Sequence, residues 1–159
     1  MGGFVETYTV SFFGHRELQD FLGAERKLVR LVEEVLEMGY YVCFFVGRNG
    51  EFDELVASVI KRIGKVRGKE SHSLVLILPY PISHMEDYEE YYDDIIIPET
   101  VEKTHYKAAI SLRNRWMIKK SDCVVVNVRK STGGAYAAMK YARECGKKVI
   151  DLAKDLTDF

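Results

Sequence analysis

The sequence predicts an α/β protein, a Rossmann-like three-layer sandwich around a mostly parallel sheet. Three observations predict it. Short apolar runs alternate with longer stretches of helical periodicity along nearly the whole chain. Runs such as Tyr41 to Val46 and Cys123 to Val128 are almost continuously apolar, the habit of strands buried on both faces. Glycines close many of the segments, as helix stops and strand-to-loop turns do. Parallel strands joined by right-handed helical crossovers place helices on both sides of the sheet.

Tyr8 to Phe13 forms the first β-rich run and ends at Gly14. Residues 20–38 place Leu28, Val32, Val35 and Leu36 at helical spacing, with Gly39 as the stop. Tyr41 to Val46 is the second strand, ending at Gly47. Phe52, Leu55, Val56, Val59, Ile60 and Ile63 follow the i, i+3, i+4, i+7 series, and Gly64 ends that helix. Leu74 to Leu78 is a third strand, stopped by Pro79. Ser83 to Glu86 has capping-box form and opens a short acidic helix with Tyr88, Tyr91 and Tyr92 as a stripe, expected to pack on the domain. Ile95 to Ile97 is a short strand, residues 105–119 a helix, Cys123 to Val128 a strand, residues 134–145 a helix and Lys148 to Leu152 the last strand.

A chain of 159 residues is expected to be one domain, spanning 1–159. At this length roughly 70% of the unfolded surface is buried, enough for one core. Hydrophobic residues make up 47% and charged residues 30%, which excludes disordered and fibrous classes. The formal charge of −1 lacks the basic excess that captures a phosphate backbone, so nucleic acid is not expected as a partner. Cys43, Cys123 and Cys145 form no CxxC pair and read as buried thiols in a reducing compartment. His72, His84 and His105 are scattered without ligand spacing, so no metal is expected. Met1 to Glu6 shows no signal pattern, and no apolar run reaches the roughly 20 residues that span a bilayer. Cytoplasmic residence without a membrane partner is the expectation.

Ligands of open parallel sheets bind at the carboxyl ends of the strands. The candidates are therefore the residues just after each strand. Gly14, His15 and Arg16 follow the first. Gly47, with Arg48 to Asp53 behind it, follows the second. Ser131, Thr132, Gly133, Gly134 and Tyr136 follow the fifth. A glycine turn opening a helix is an anion cradle, because its first backbone N–H groups are unpaired and the helix end is positive. Thr132 is placed to cap that helix. Asp53 either caps its own helix or accepts a ribose hydroxyl. Glu51 adds a second carboxylate but points elsewhere at this spacing. Arg113 and Asn114 lie on the preceding helix, where a guanidinium forks onto phosphate. Trp116 on the same helix reads as an exposed apolar side chain suited to a partner, and a homo-oligomer is an expected state. There is no G-x-G-x-x-G and no Walker A pattern.

Thr9-Val10-Ser11-Phe12-Phe13-Gly14-His15-Arg16, then Arg113-Asn114-Arg115-Trp116-Met117, Ser121-Asp122 and Gly133-Gly134-Ala135-Tyr136 together resemble the SLOG superfamily, which joins DprA/SMF proteins to LOG proteins. The nearest branch is the stand-alone YpsA-like group, and the likeness runs from about residue 7 to 153. It implies a Rossmann-like fold that binds a nucleotide or nucleotide derivative, with no settled activity and no assigned cofactor. LOG proteins cleave the N-glycosidic bond of nucleoside monophosphates through Pro-Gly-Gly-x-Gly-Thr-x-x-Glu. On that pattern Gly133 and Gly134 match, Tyr136 stands for the later glycine, Ala137 for the threonine and Lys140 for the glutamate. A lysine there reverses the sign of the field that an oxocarbenium-like centre needs. The leading expectation is a nucleotide-binding module or sensor. Its rivals are a nucleotide or nucleotide-sugar hydrolase using Asp53 or Glu51 with His15, and single-stranded DNA binding as in DprA relatives.

Overall fold

The computed structural model describes residues 5–99 and 105–154. The reading of the extreme N-terminus falls largely on residues 1–4, which lie outside the described residues. The chain runs β1 (Thr7–Gly14), α1 (Phe21–Leu36), β2 (Tyr41–Val46), α2 (Glu51–Arg67), β3 (His72–Ile77), α3 (Met85–Tyr91), β4 (Asp94–Ile96), α4 (Tyr106–Lys120), β5 (Cys123–Asn127), α5 (Gly134–Glu144) and β6 (Lys148–Asp151). One six-stranded sheet has the order β4-β3-β2-β1-β5-β6. Every neighbouring pair is parallel, so the sheet is parallel throughout. The chain steps outward from β1 to β4, then crosses back to lay β5 on the other side of β1. This reversal opens a crevice above the carboxyl ends of β1 and β5, where Gly14 pairs with Asn127.

The strand period of two divides the core. Val10 and Phe12 of β1 join Phe44 of β2, Leu28 and Val32 of α1, and Phe52, Val56 and Ile60 of α2. Phe13 points the other way, with Phe45, Val124, Val126, Met117 and Ile118 of α4, and Ala138 and Ala142 of α5. Each fully buried phenylalanine contributes about 1.5–3 kcal/mol. Ser121 and Asp122 fasten β5 to β1. The buried Ser11 and Ser121 hydroxyls lie 2.6 Å apart, and Ser121 donates to the Met117 carbonyl at 2.7 Å. Asp122 accepts the Thr9 amide at 2.9 Å and donates its own to the Thr9 carbonyl at 2.8 Å. A motif singled out for function thus holds the central strand pair in register.

Several local expectations are corrected. The N-cap of α3 is His84, in the left-handed region at φ 58°, not Ser83. Gly133 caps α5 at φ 93° and Gly50 caps α2 at φ 140°, neither with a side-chain bond, so Thr132 and Asp53 cap nothing. Side-chain capping needs a polar side chain at the N-cap position itself, as Asp20 provides for α1 by accepting the Gly23 amide, and at α2 and α5 glycines take that position. Trp116 is half-buried and stacks on Phe45, with centroids 5.7 Å apart and 17° between planes. It packs against the second core and is not the fully exposed side chain that the sequence suggests. Cys123 is buried, Cys43 half-buried and Cys145 exposed. No residue of α3 is buried; Tyr92, just beyond it, packs on the core, while Arg48 lies over Tyr88 and Lys61 over Tyr91. Among the described residues, no helix is long and apolar enough to cross a membrane.

Candidate functional site

Above the β1–β5 crevice lies a cleft of about 510 Å³. Its size falls in the range that encloses a small-molecule ligand. Gly14, His15, Arg16, Gly47, Asp53, Arg113, Asn114, Thr132, Gly133 and Gly134 all line it, brought together from three loops and α4. Ser131 stays in the exposed turn outside the lining. Tyr136 also stands outside, half-buried on the second core beneath the Lys140 ammonium, 5.8 Å from its ring centre. Glu51 is turned away and accepts the Leu18 amide at 3.3 Å. Asp53 and Glu51 therefore do not form a carboxylate pair.

The β1–α1 side of the cleft is fastened. A Cβ on Gly14 would lie 2.3 Å from the Phe52 ring, so the absent side chain admits the ring that seats α2 against β1. The Glu51 amide donates to the Arg16 carbonyl at 2.9 Å. His15 reaches across the crevice, and its Nε2 accepts the backbone N–H groups of Arg129 and Lys130 at 3.1 and 3.2 Å. That geometry requires a neutral ring with its proton on Nδ1. Burial, then the Lys130 charge, hold its pKa below the ordinary value. Nε2 is thereby committed to shaping the β5–α5 loop.

Asp53 and Arg113 meet around Gly47. A Cβ there would lie 3.1 Å from Asp53 Oδ2 and 3.4 Å from Arg113 Nη1. Arg113 is held in place: Nη1 donates to the Ile77 carbonyl at 2.7 Å and Nε to Asn114 Oδ1 at 2.9 Å. Asp53 sits deep among its neighbours yet opens onto the cleft. Burial raises its pKa to about 7, against the opposing pull of Arg113 and a bond from the Asn49 backbone. Near neutral pH it can therefore donate or accept a hydrogen bond. With Asp53 part-protonated, the cations Arg16, Arg113 and Lys130 outweigh the carboxylates of Glu17 and Asp53 on the lining.

On the β5–α5 side the N-cap is a glycine without a capping side chain, and among the described residues a Cβ on Gly133 or Gly134 would meet nothing within 4 Å. The start of α5 thus lies on the same lining as these cations, an arrangement suited to an oxyanion. Asn49, from the run behind Gly47, lines the cleft too, and so do Lys130, Glu17 and Ile110, which the sequence reading passes over. Asn49 and Glu17 belong to the same post-strand loops. Ile110 precedes Arg113 and Asn114 by three and four positions, one helical face, a signal legible in the sequence. Among the described residues, no group of three or more His, Cys, Asp or Glu is placed to hold a metal.

The chain matches no protein-family model and none of the curated proteins. Its fold is similar to that of DNA processing protein A from Helicobacter pylori, described for its single-stranded DNA binding mode. The TM-score is 0.64 at 15% identity, over 95% of this chain and 67% of that one. It is similar also to DNA processing protein A (DprA) from Streptococcus pneumoniae, with a TM-score of 0.65 at 18% identity, over 95% of this chain and 52% of that one. These likenesses correct the expectation that sets nucleic acid aside as a partner, because a protein of the same fold binds single-stranded DNA. Net charge alone does not set such a partner aside, since the local field of a cleft can differ in sign from the sum over a chain. By architecture, the chain has the Rossmann-like α/β fold seen in DNA processing protein A.

Proposed function

We propose that the cleft binds the phosphate and sugar of a nucleotide or nucleotide derivative, in a single domain spanning the chain that works as a binding module or sensor. The observation that supports this most is the uncapped start of α5. Unpaired amides, two glycines with free space above them and three cations share one wall system. Gly133 and Gly134 take the phosphate, Arg113 and Arg16 balance its charge, and Asp53 meets a sugar hydroxyl. Lys140, at the position where the LOG pattern has its glutamate, is exposed and lies over Tyr136, which supports binding ahead of glycosidic hydrolysis. Calorimetric titration with adenosine and guanosine monophosphates tests the reading. Heat at sub-millimolar ligand, lost in Arg113→Ala, supports it; no heat up to millimolar concentration in the native chain overturns it.

A second reading is favoured by the fold likeness to a single-stranded DNA binder. Here the bound nucleotide is one unit of a strand, and the exposed Arg16 and Lys130 line the cleft it enters. Its mark is affinity for a single-stranded oligonucleotide that falls steeply with salt. Equal affinity for a mononucleotide and an oligonucleotide of the same base would reject it.

A further inference from the structure

A second groove, of about 380 Å³, lies between α4 and α5. It shares Ile110, Asn114, Gly133 and Gly134 with the cleft, so the two cavities meet over the start of α5. The groove differs in chemistry from the cleft. Ile118, Ala137 and Ala138 give it apolar walls, and at one side the Arg115 guanidinium lies over the Tyr141 ring, 4.8 Å from its centre. Planar cations and phenol rings are the surfaces on which nucleobases stack. Gly134 stands on the shared wall. Its backbone is ordinary and a Cβ there would touch nothing within 4 Å, so the fold itself does not require a glycine at this position. What the missing side chain leaves open is passage from one cavity to the other.

We infer that the groove is a second subsite, taking the base of a second nucleoside unit whose linking phosphate crosses the α5 amides. The ligand class is thus a dinucleotide, either a step of single-stranded DNA or a free 5′–5′ dinucleoside diphosphate. The inference rests on the nucleotide reading of the cleft and adds to it the size of the ligand. Ala137 is exposed and lines the groove but not the cleft, so Ala137→Trp fills the second subsite alone.

The probes are adenosine monophosphate, the 5′-phosphorylated dinucleotide of deoxyadenosine and diadenosine diphosphate, titrated into the full chain. At least one dinucleotide is expected to bind about tenfold more tightly than the mononucleotide. Whichever is tighter names the source. Ala137→Trp is expected to remove that advantage and leave mononucleotide affinity unchanged. Tyr141→Ala, which empties the stacking wall without filling the groove, is expected to weaken the dinucleotide alone. Unchanged melting temperatures verify both folds. Equal affinity of all three probes, or a dinucleotide advantage untouched by both variants, overturns the inference while leaving the cleft reading intact. No binding of any probe overturns the cleft reading and this inference with it.

Discussion

The two banks of the cleft are built on opposite terms. Apart from the Arg16 side chain, which lines the cleft, the loop after β1 is spent on the protein itself: Gly14 admits Phe52, the Arg16 carbonyl takes the Glu51 amide, and His15 Nε2 holds two amides of the facing loop. The loop after β5 ends in amides that no side chain caps and glycines that nothing crowds. Two glycine turns that look alike in sequence therefore do different work. Where every polar group has an internal partner, the turn is scaffold. Where the first donors of a helix have no side-chain cap, the turn has the chemistry to take an anion.

The largest effect should come from the fastened bank. Gly14→Ala pushes a methyl into the Phe52 ring and is expected to cost about 3 kcal/mol in denaturant unfolding. A loss under about 1 kcal/mol would mean that the ring has room to move and that the bank is not tightly built. Next comes Asp53, on the cleft floor between the banks. Its folded pKa of about 7 lies above the ordinary 3.8, so the folded state holds a proton that the unfolded chain releases. Its contribution is full below the unfolded value and lost as pH rises toward 7. Asp53→Asn should accordingly raise stability at pH 8 by on the order of 1–2 kcal/mol, allowing for solvent entry through the cleft, and flatten the pH dependence between 4 and 7. An unchanged pH profile of melting would contradict the raised pKa.

His15→Ala should cost about 1 kcal/mol, because the amides it leaves are within reach of water. The sign with pH is opposite to that of Asp53. The folded pKa is depressed, so the contribution is present above the unfolded value near 6.5 and lost as pH falls through the lower folded value. Protection of the Arg129 and Lys130 amides against hydrogen exchange, taken relative to the unprotected rate at each pH, should fall in the variant and, in the native chain, on acidification. The smallest change in stability belongs to the open bank. Gly134→Ala should leave stability equal or raise it by about 0.5 kcal/mol, since alanine favours the helix. The same variant should weaken nucleotide heat severalfold. If it destabilised the chain as Gly14→Ala does, the distinction between the banks would fail.

The element pattern was readable because burial on two faces and helical periodicity are local signals, and all the expected strands and helices form. The fully parallel sheet follows from the same alternation. What escaped was pairing across the fold. Nothing near His15 announces that the amides donating to its Nε2 lie 114 and 115 residues on, and nothing near Trp116 announces the Phe45 ring beneath it. Helix starts were misassigned at Ser83 and Thr132 because capping depends on backbone torsions that residue type alone does not fix. Several of the cleft's polar members, His15, Arg16, Asp53 and Thr132, were legible from the rule that segments at strand carboxyl ends converge, while Glu17 and Lys130 were passed over. Their division into fastened and open was not, since it depends on which hydrogen-bond partners the three-dimensional fold supplies.

The central strand pair also sets the order in which the molecule can be assembled. The Thr9–Asp122 clamp joins positions 113 apart in the chain, a costly loop to close, and such long-range pairings are slow to form. During synthesis the first bank emerges early and waits, with no opposite wall, until β5 leaves the ribosome. The cleft is therefore among the last features the nascent chain completes, and on the nucleotide reading a bound nucleotide would reward completion of folding by holding both banks closed at once.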